Sequence, residues 1–143
     1  MVPCNPQKKQ IEIFTWKKFD KACHYLAQQI YDSDLKFDFV YGIPRGGSIL
    51  AIRLSYLLDI PFFSDGNPLL VSNPVRILIC DDISDTGKTL LPFKNKGFKI
   101  ATIHSHPHSE VEPDFYVHLK KNRLEKGKWI QYAWEGDIEG NLK

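Results

Sequence analysis

The segment Val75 to Cys80 is a nearly continuous apolar run that stops on two adjacent carboxylates, Asp81 and Asp82. A strand with one wet face would alternate polar and apolar residues. An unbroken run is expected where both faces are covered, as in a parallel sheet. The neighbouring segments fit that demand. From Trp16 to Tyr31 the apolar residues Phe19, Cys23, Leu26, Ala27 and Ile30 recur three or four apart, so a helix with one buried face is expected, with Thr15 as its N-cap. Phe37 to Ile43 reads as a strand that runs through Pro44-Arg45-Gly46-Gly47 into a second helix over Ser48 to Leu58. A helix should follow from Thr86 or Gly87, short, delayed or kinked because of Pro92. Lys99 to His104 and Phe115 to Leu119 read as two further strands. Strands alternating with helices predict an α/β fold with a mainly parallel sheet flanked by helices. In such sheets ligands bind beyond the carboxyl ends of the strands, so the loops after Ile43 and Cys80 are expected to face one crevice.

At 143 residues the chain fits one domain, expected to span 1–143. A formal charge of +2 implies no nucleic-acid partner, and the basic run Lys120 to Lys128 reads as a solvated loop. The apolar stretches are far shorter than the ~20 residues that cross a bilayer, and Met1 to Gln10 lacks a signal-peptide core, so no membrane role and a cytoplasmic location are expected. Cys4, Cys23 and Cys80 show no close pairing and read as reduced thiols.

The chemistry concentrates in Asp81-Asp82-Ile83-Ser84-Asp85-Thr86-Gly87-Lys88-Thr89. Outward-pointing N–H groups at a helix start, with the hydroxyls of Thr86 and Thr89, suit a phosphate dianion. Gly87 allows close backbone approach. Asp81 and Asp82 would repel a phosphate unless they face ribose hydroxyls or a divalent cation bridging them to the ligand. A nucleoside-triphosphate loop is excluded, because that motif needs glycine where the chain has Asp82. An acidic turn that merely caps a helix is the plain alternative; the ordered combination of Asp-Asp, Asp-Thr-Gly and Lys-Thr speaks against it.

From Ile77 to Thr89 the sequence resembles, nearly position by position, the phosphoribosyl pyrophosphate signature of the type I phosphoribosyltransferases. It is most similar to the bacterial xanthine-guanine enzymes, over most of the chain from Thr15-Trp16 to Trp134-Glu135. The resemblance implies that Asp81 and Asp82 hold the ribose hydroxyls, with Asp82 nearer a Mg2+ ion. It further implies that Asp85, Thr86, Gly87, Lys88 and Thr89 hold the 5-phosphate, and that Asp85 handles the purine N7 proton. In Pro44-Arg45-Gly46-Gly47 a forked guanidinium stands beside two glycines whose N–H groups are exposed, which suits a pyrophosphate. In the similar enzymes that loop binds pyrophosphate and often holds a cis peptide, here Pro44-Arg45. A surface arginine in an ordinary strand-to-helix turn is the plain alternative.

The resemblance also implies a base-binding hood from about 104–143, with Trp129 stacked on the base and the Ile130 backbone at its edge. Trp134 reads instead as a core aromatic. Where the purine enzymes use a lysine for the 6-oxo group, this chain has His106, which both donates and accepts. His104, His106 and His108 at alternate positions could also bind a transition metal from one strand face, although Pro107 interrupts the strand. Pro61 to Val75 is short for the family's flexible lid and suggests a hairpin. Water exclusion would then be weak, or supplied by a neighbouring subunit of a dimer or tetramer.

Two classes of function follow. One is an enzyme of purine salvage that transfers phosphoribosyl from phosphoribosyl pyrophosphate to guanine, xanthine or hypoxanthine, or to a non-purine acceptor. The other is a regulatory protein that senses phosphoribosyl pyrophosphate or a nucleotide and has little transferase activity.

Overall fold

The structure, a computed structural model, describes residues 10–72, 75–119 and 128–136, with the backbone alone at Gln10, Lys128 and Trp129. Cys4 and most of the basic run after Leu119 lie outside them. The chain divides into two compact units, one of Met1–Lys21 with Asn122–Lys143 and one of Ala22–Lys121. The segment 104–143 is therefore shared between them.

In the smaller unit, β1 (Gln10–Phe14) pairs in parallel with β6 (Lys128–Tyr132), a sheet that no apolar run announced. Beside it lies an aromatic cluster. Trp134 stacks on Tyr132 at 4.9 Å and meets Phe19 edge-on at 5.1 Å, and Phe14 meets Tyr132 at 5.7 Å. Trp134 is thus a packing residue, as its sequence context suggested. Helix α1 (Trp16–Asp32) starts here with the Thr15 hydroxyl accepting from Lys18 N–H at 3.2 Å, the expected N-cap.

The larger unit is built on a four-stranded, wholly parallel sheet in the order β2 (Phe39–Gly42), β3 (Ile77–Ser84), β4 (Lys99–Ser105), β5 (Phe115–Leu119). The α/β reading holds. The apolar run behaves as its composition demands: Ile77 to Cys80 are all buried, with Ile77 and Ile79 in a cluster with Phe63, Leu90, Phe93, Ile100 and Val111. Full burial of each such side chain contributes about 1.5–3 kcal/mol. Helix α2 (Gly46–Leu58) packs against β2 and β3 and buries Leu50, Ala51 and Leu54. The Gln29 amide of α1 donates to the Tyr116 carbonyl of β5 at 2.9 Å.

Two local expectations change, and a third, the short and delayed helix at Pro92, is met. Strand β3 does not stop at Cys80 but continues through both acids to Ser84, because β4 supplies a partner as far as Ser105. Helix α3 (Leu91–Asn95) starts later than Thr86 or Gly87 and is five residues long. Pro92 falls in its first turn, where the missing N–H costs nothing. The segment after Pro61 forms no hairpin among the described residues. Phe62 bridges Val40 in parallel, Phe63 N–H donates to the Val40 carbonyl at 2.8 Å, and Pro68–Leu70 makes a single 3-10 turn.

Candidate functional site

Strands β2 and β3 are neighbours, so the loops leaving their carboxyl ends are brought side by side. The junction is tight. A Cβ on Gly46 would run into the Asp82 carboxylate, 2.9 Å from its Cγ, and one on Gly47 would lie 2.9 Å from Asp81 Cα. The two glycines therefore let the start of α2 lie against the acid-bearing end of β3. The sequence reading had assigned them only to ligand contact. The Pro44-Arg45 peptide is cis, as the resemblance implied. Arg45 is exposed at the mouth of this junction, with no ion-pair partner among the described residues.

The acids are held by their own backbone. Asp82 N–H donates to Asp81 Oδ1 at 2.9 Å, and Ile83 N–H donates to Asp82 Oδ1 at 2.8 Å. Burial, the adjacent Asp82 charge and a hydrogen bond between the two push the Asp81 carboxyl up to about 8. Burial also raises the Cys80 thiol well above its usual range, with the Asp81 and Cys23 charges adding to the effect. Cys23 and Cys80 are both buried and unbridged.

Beyond Ser84 the chain makes a bend and a turn lined by Asp81 to Gly87, Thr89 and Leu90, around a hollow of about 220 Å³. Among the described residues no hydrogen bond engages the N–H groups of Thr86, Gly87 or Thr89. They belong to the turn, not to the short helix α3, so an anion here would be held by a turn of amides with the Thr86 and Thr89 hydroxyls. Lys88 is exposed beside them.

A second loop buttresses this turn; the sequence had singled out its His106 and His108 for other roles, but not Ser109, Glu110 or Val111. Glu110 N–H donates to the Thr86 carbonyl at 2.9 Å, and His106 N–H to the Ser84 carbonyl at 2.9 Å. The buried Ser84 hydroxyl donates to the Val111 carbonyl at 2.8 Å, which uses its hydrogen, so Ser109 is the donor in the 2.7 Å contact between the two hydroxyls. Gly87, at φ +86, is glycine for two reasons: the left-handed backbone, and the Glu110 and Val111 amides 2.8 and 2.7 Å from where a Cβ would stand. The only sequence signal for this support was a serine inside an otherwise acidic and apolar strand end.

His106 is buried, with Nε2 3.5 Å from Asp85 Oδ1. The alternating-histidine arrangement does not form: β4 ends at Ser105, His108 lies in the following turn, and His104 stacks on His118 of β5 at 5.2 Å. No group of three or more metal-binding side chains occurs among the described residues. What remains for a cation is the Asp81–Asp82 pair. That donor set fits Mg2+, which is commonly held by one or two carboxylates together with waters and substrate oxygens. Ile130 and the Trp129 backbone belong to β6 in the smaller unit; the Trp129 side chain lies outside the described residues.

No family sequence model matches the chain. Solved structures do. A purine phosphoribosyltransferase from Pyrococcus horikoshii is 34% identical, aligned over 89% of this chain and 95% of its own, with a TM-score of 0.67. A xanthine-guanine-hypoxanthine phosphoribosyltransferase from Helicobacter pylori is 19% identical over 93% and 98% of the two chains, with a TM-score of 0.72. A hypothetical protein from Neisseria gonorrhoeae, solved with bound ppGpp, is 20% identical over 92% and 93%, with a TM-score of 0.70. The last two share the fold.

Proposed function

Because this chain belongs to the purine phosphoribosyltransferases, a family of glycosyltransferases, we propose that it moves the 5-phosphoribosyl group from phosphoribosyl pyrophosphate to guanine, xanthine or hypoxanthine and releases pyrophosphate. One observation carries the reading: paired carboxylates, a turn of unbonded amides and an arginine loop meet at the carboxyl ends of adjacent parallel strands. Each matches one part of that substrate. Asp81 and Asp82 take the ribose hydroxyls. Asp85, Thr86, Gly87, Lys88 and Thr89 take the 5-phosphate. Arg45, with the Gly46 and Gly47 amides, takes the pyrophosphate. By the resemblance, Trp129 and Ile130 take the base.

Bond breaking at C1 leaves positive charge on the ribose and negative charge on the departing pyrophosphate, so catalysis is positioning and charge stabilisation. Asp82 would hold a Mg2+ ion, which would supply neutralising charge for the departing pyrophosphate. Arg45 steadies the pyrophosphate oxygens with a guanidinium fork. Asp85 takes the proton that the attacking purine must lose. The proposal includes a cytoplasmic location and a homo-oligomer. The exposed Ile52 and Tyr56 of α2 offer one apolar surface for that assembly.

The experiment is pyrophosphate release from phosphoribosyl pyrophosphate and Mg2+ with each of guanine, xanthine, hypoxanthine and adenine. At least one oxopurine should turn over, and Asp85→Asn should lower that turnover by ~10²-fold or more while leaving sugar-phosphate affinity nearly unchanged. Equal turnover in the variant removes Asp85 from the chemistry. The second reading, a nucleotide-sensing protein, draws on the neighbour solved with ppGpp and on the lack of a long lid between Pro61 and Val75. Tight nucleotide binding with no turnover of any base would establish it.

A further inference from the structure

We propose that His106 is a positioning residue for Asp85: its imidazole holds the carboxylate in the geometry that proton uptake requires. The inference rests on the transferase reading above. Its basis is the asymmetry of the pair. The His106 side chain is 8% exposed and the Asp85 side chain 53%, with 3.5 Å between Nε2 and Oδ1. His106 is fixed at both ends of its peptide unit, N–H to the Ser84 carbonyl at 2.9 Å and carbonyl from Ser109 N–H at 3.0 Å. Ser109 is in turn bonded to the buried Ser84 hydroxyl. The His106 backbone is therefore anchored beside the end of β3 and its ring is held by burial, while Asp85 stands in the bend just past that strand.

An exposed carboxylate samples several rotamers, and a general base is effective in one of them. A ring anchored in the frame selects that one. The Nδ1 atom is buried, so Nε2 is the nitrogen on the Asp85 side. With its proton on Nε2 the imidazole donates towards the carboxylate and so sets its orientation. The 3.5 Å separation is longer than a formed hydrogen bond, as contacts of this kind often are before substrate closes the site. The other ionisable groups of this turn, His108 and Glu110, are exposed, and His104 is engaged with His118. The same burial explains why this histidine need not do the work of a lysine at the purine 6-oxo group: it acts on the base through Asp85.

The test compares full-length wild type, His106→Leu, His106→Gln, Asp85→Asn and the Leu/Asn double variant with guanine, hypoxanthine and adenine. His106→Leu should lower kcat roughly tenfold or more, leave KM for phosphoribosyl pyrophosphate within about twofold, and keep the order of preference among bases. Glutamine, which presents an N–H near the Nε2 position, should recover most of the rate. In the Asp85→Asn background the leucine change should cost less than about twofold, because its effect passes through the carboxylate. Additive losses, or altered base preference at unchanged kcat, overturn the proposal. If wild type turns over no base, the transferase reading fails, and imidazole nitrogen NMR decides the pairing: His106 resonances that shift on Asp85→Asn support it, and identical resonances and titration overturn it.

Discussion

The two ends of the parallel sheet treat their polar groups in opposite ways. At the amino end a hollow of about 480 Å³ is lined by Phe37, Val71, Val75, Ile77 and Phe98 and bordered by Lys36, Arg76, Lys96 and Lys99. Most of those cations are already used by the fold. Arg76 pairs with Asp38 at 3.3 Å, Lys99 lies 3.9 Å from Asp114, and the Lys96 amine donates to the Leu69 carbonyl. At the carboxyl end the hollow is less than half as large, yet Arg45 in the loop after β2 and Lys88 in the turn after β3 are exposed with no ion-pair partner among the described residues. Volume alone would point to the amino end, away from the proposed site. Polar groups that folding leaves unspent are the better guide to where a ligand is recognised.

The sharpest way to break this comparison uses two glycines with left-handed backbone. Gly87, φ +86, is walled in by the buttress loop; Gly97, φ +93, stands at the amino end with nothing within 4 Å of its Cβ position. Gly87→Ala should cost more than the roughly 1–3 kcal/mol of backbone strain alone, and should abolish phosphoribosyl pyrophosphate binding. Gly97→Ala should cost the strain only and leave binding intact. Melting curves and calorimetry on both decide it. Equal losses of stability and binding would mean that the buttress has no special role.

A smaller effect is expected from the cation. Asp81 and Asp82 confront a polyanion, so phosphoribosyl pyrophosphate should bind at least tenfold more tightly in Mg2+ than in EDTA. Equal affinities in the two buffers count against the proposed Asp82 metal contact. Smaller still, Arg45→Ala should weaken pyrophosphate by roughly tenfold and a nucleoside monophosphate hardly at all. Lys36→Ala at the other end should change neither. The smallest effect concerns Asp38, whose carboxyl Arg76 holds below its ordinary range by side-chain and backbone hydrogen bonds. A depressed carboxyl stabilises the fold above the usual carboxylate pKa, and that contribution disappears as pH falls through the lowered value. Asp38→Asn should therefore lower the melting temperature slightly at pH 7 and not at pH 2, and a loss equal at both pH values would point to a packing role instead.

How much of this was legible in the sequence depended on the reach of each signal. The unbroken apolar run specified a buried parallel strand because it needs no knowledge of its neighbours. Where that strand ends was not legible: Asp81 and Asp82 look like a terminus, and only the partner β4, running on to Ser105, carries the ladder past them. Pro92 correctly indicated a short, late helix, since its chemistry is local. The β1–β6 pair joins residues more than a hundred positions apart and left no periodic trace. Asp85 and Arg45 could be singled out through the resemblance that their motifs carry; their roles are the subject of the tests above. The Ser84–Ser109 link and the His106–Asp85 contact could not, because each depends on a loop folding back across the end of the sheet.

Strand β3 has one further consequence. Its first half is laddered on both sides, by β2 up to Cys80 and by β4, while its acid-bearing half is laddered by β4 alone. Amide exchange should therefore be slowest from Leu78 to Cys80, intermediate over Asp81 to Ser84 and fastest from Thr86 to Thr89, within a dozen residues. Ligand would meet a frame that opens rarely, joined to a strip that opens often. Nearly all of the entropy lost on binding would come from that strip, so the affinity for a sugar phosphate would be set by how much the buttress loop has already ordered it.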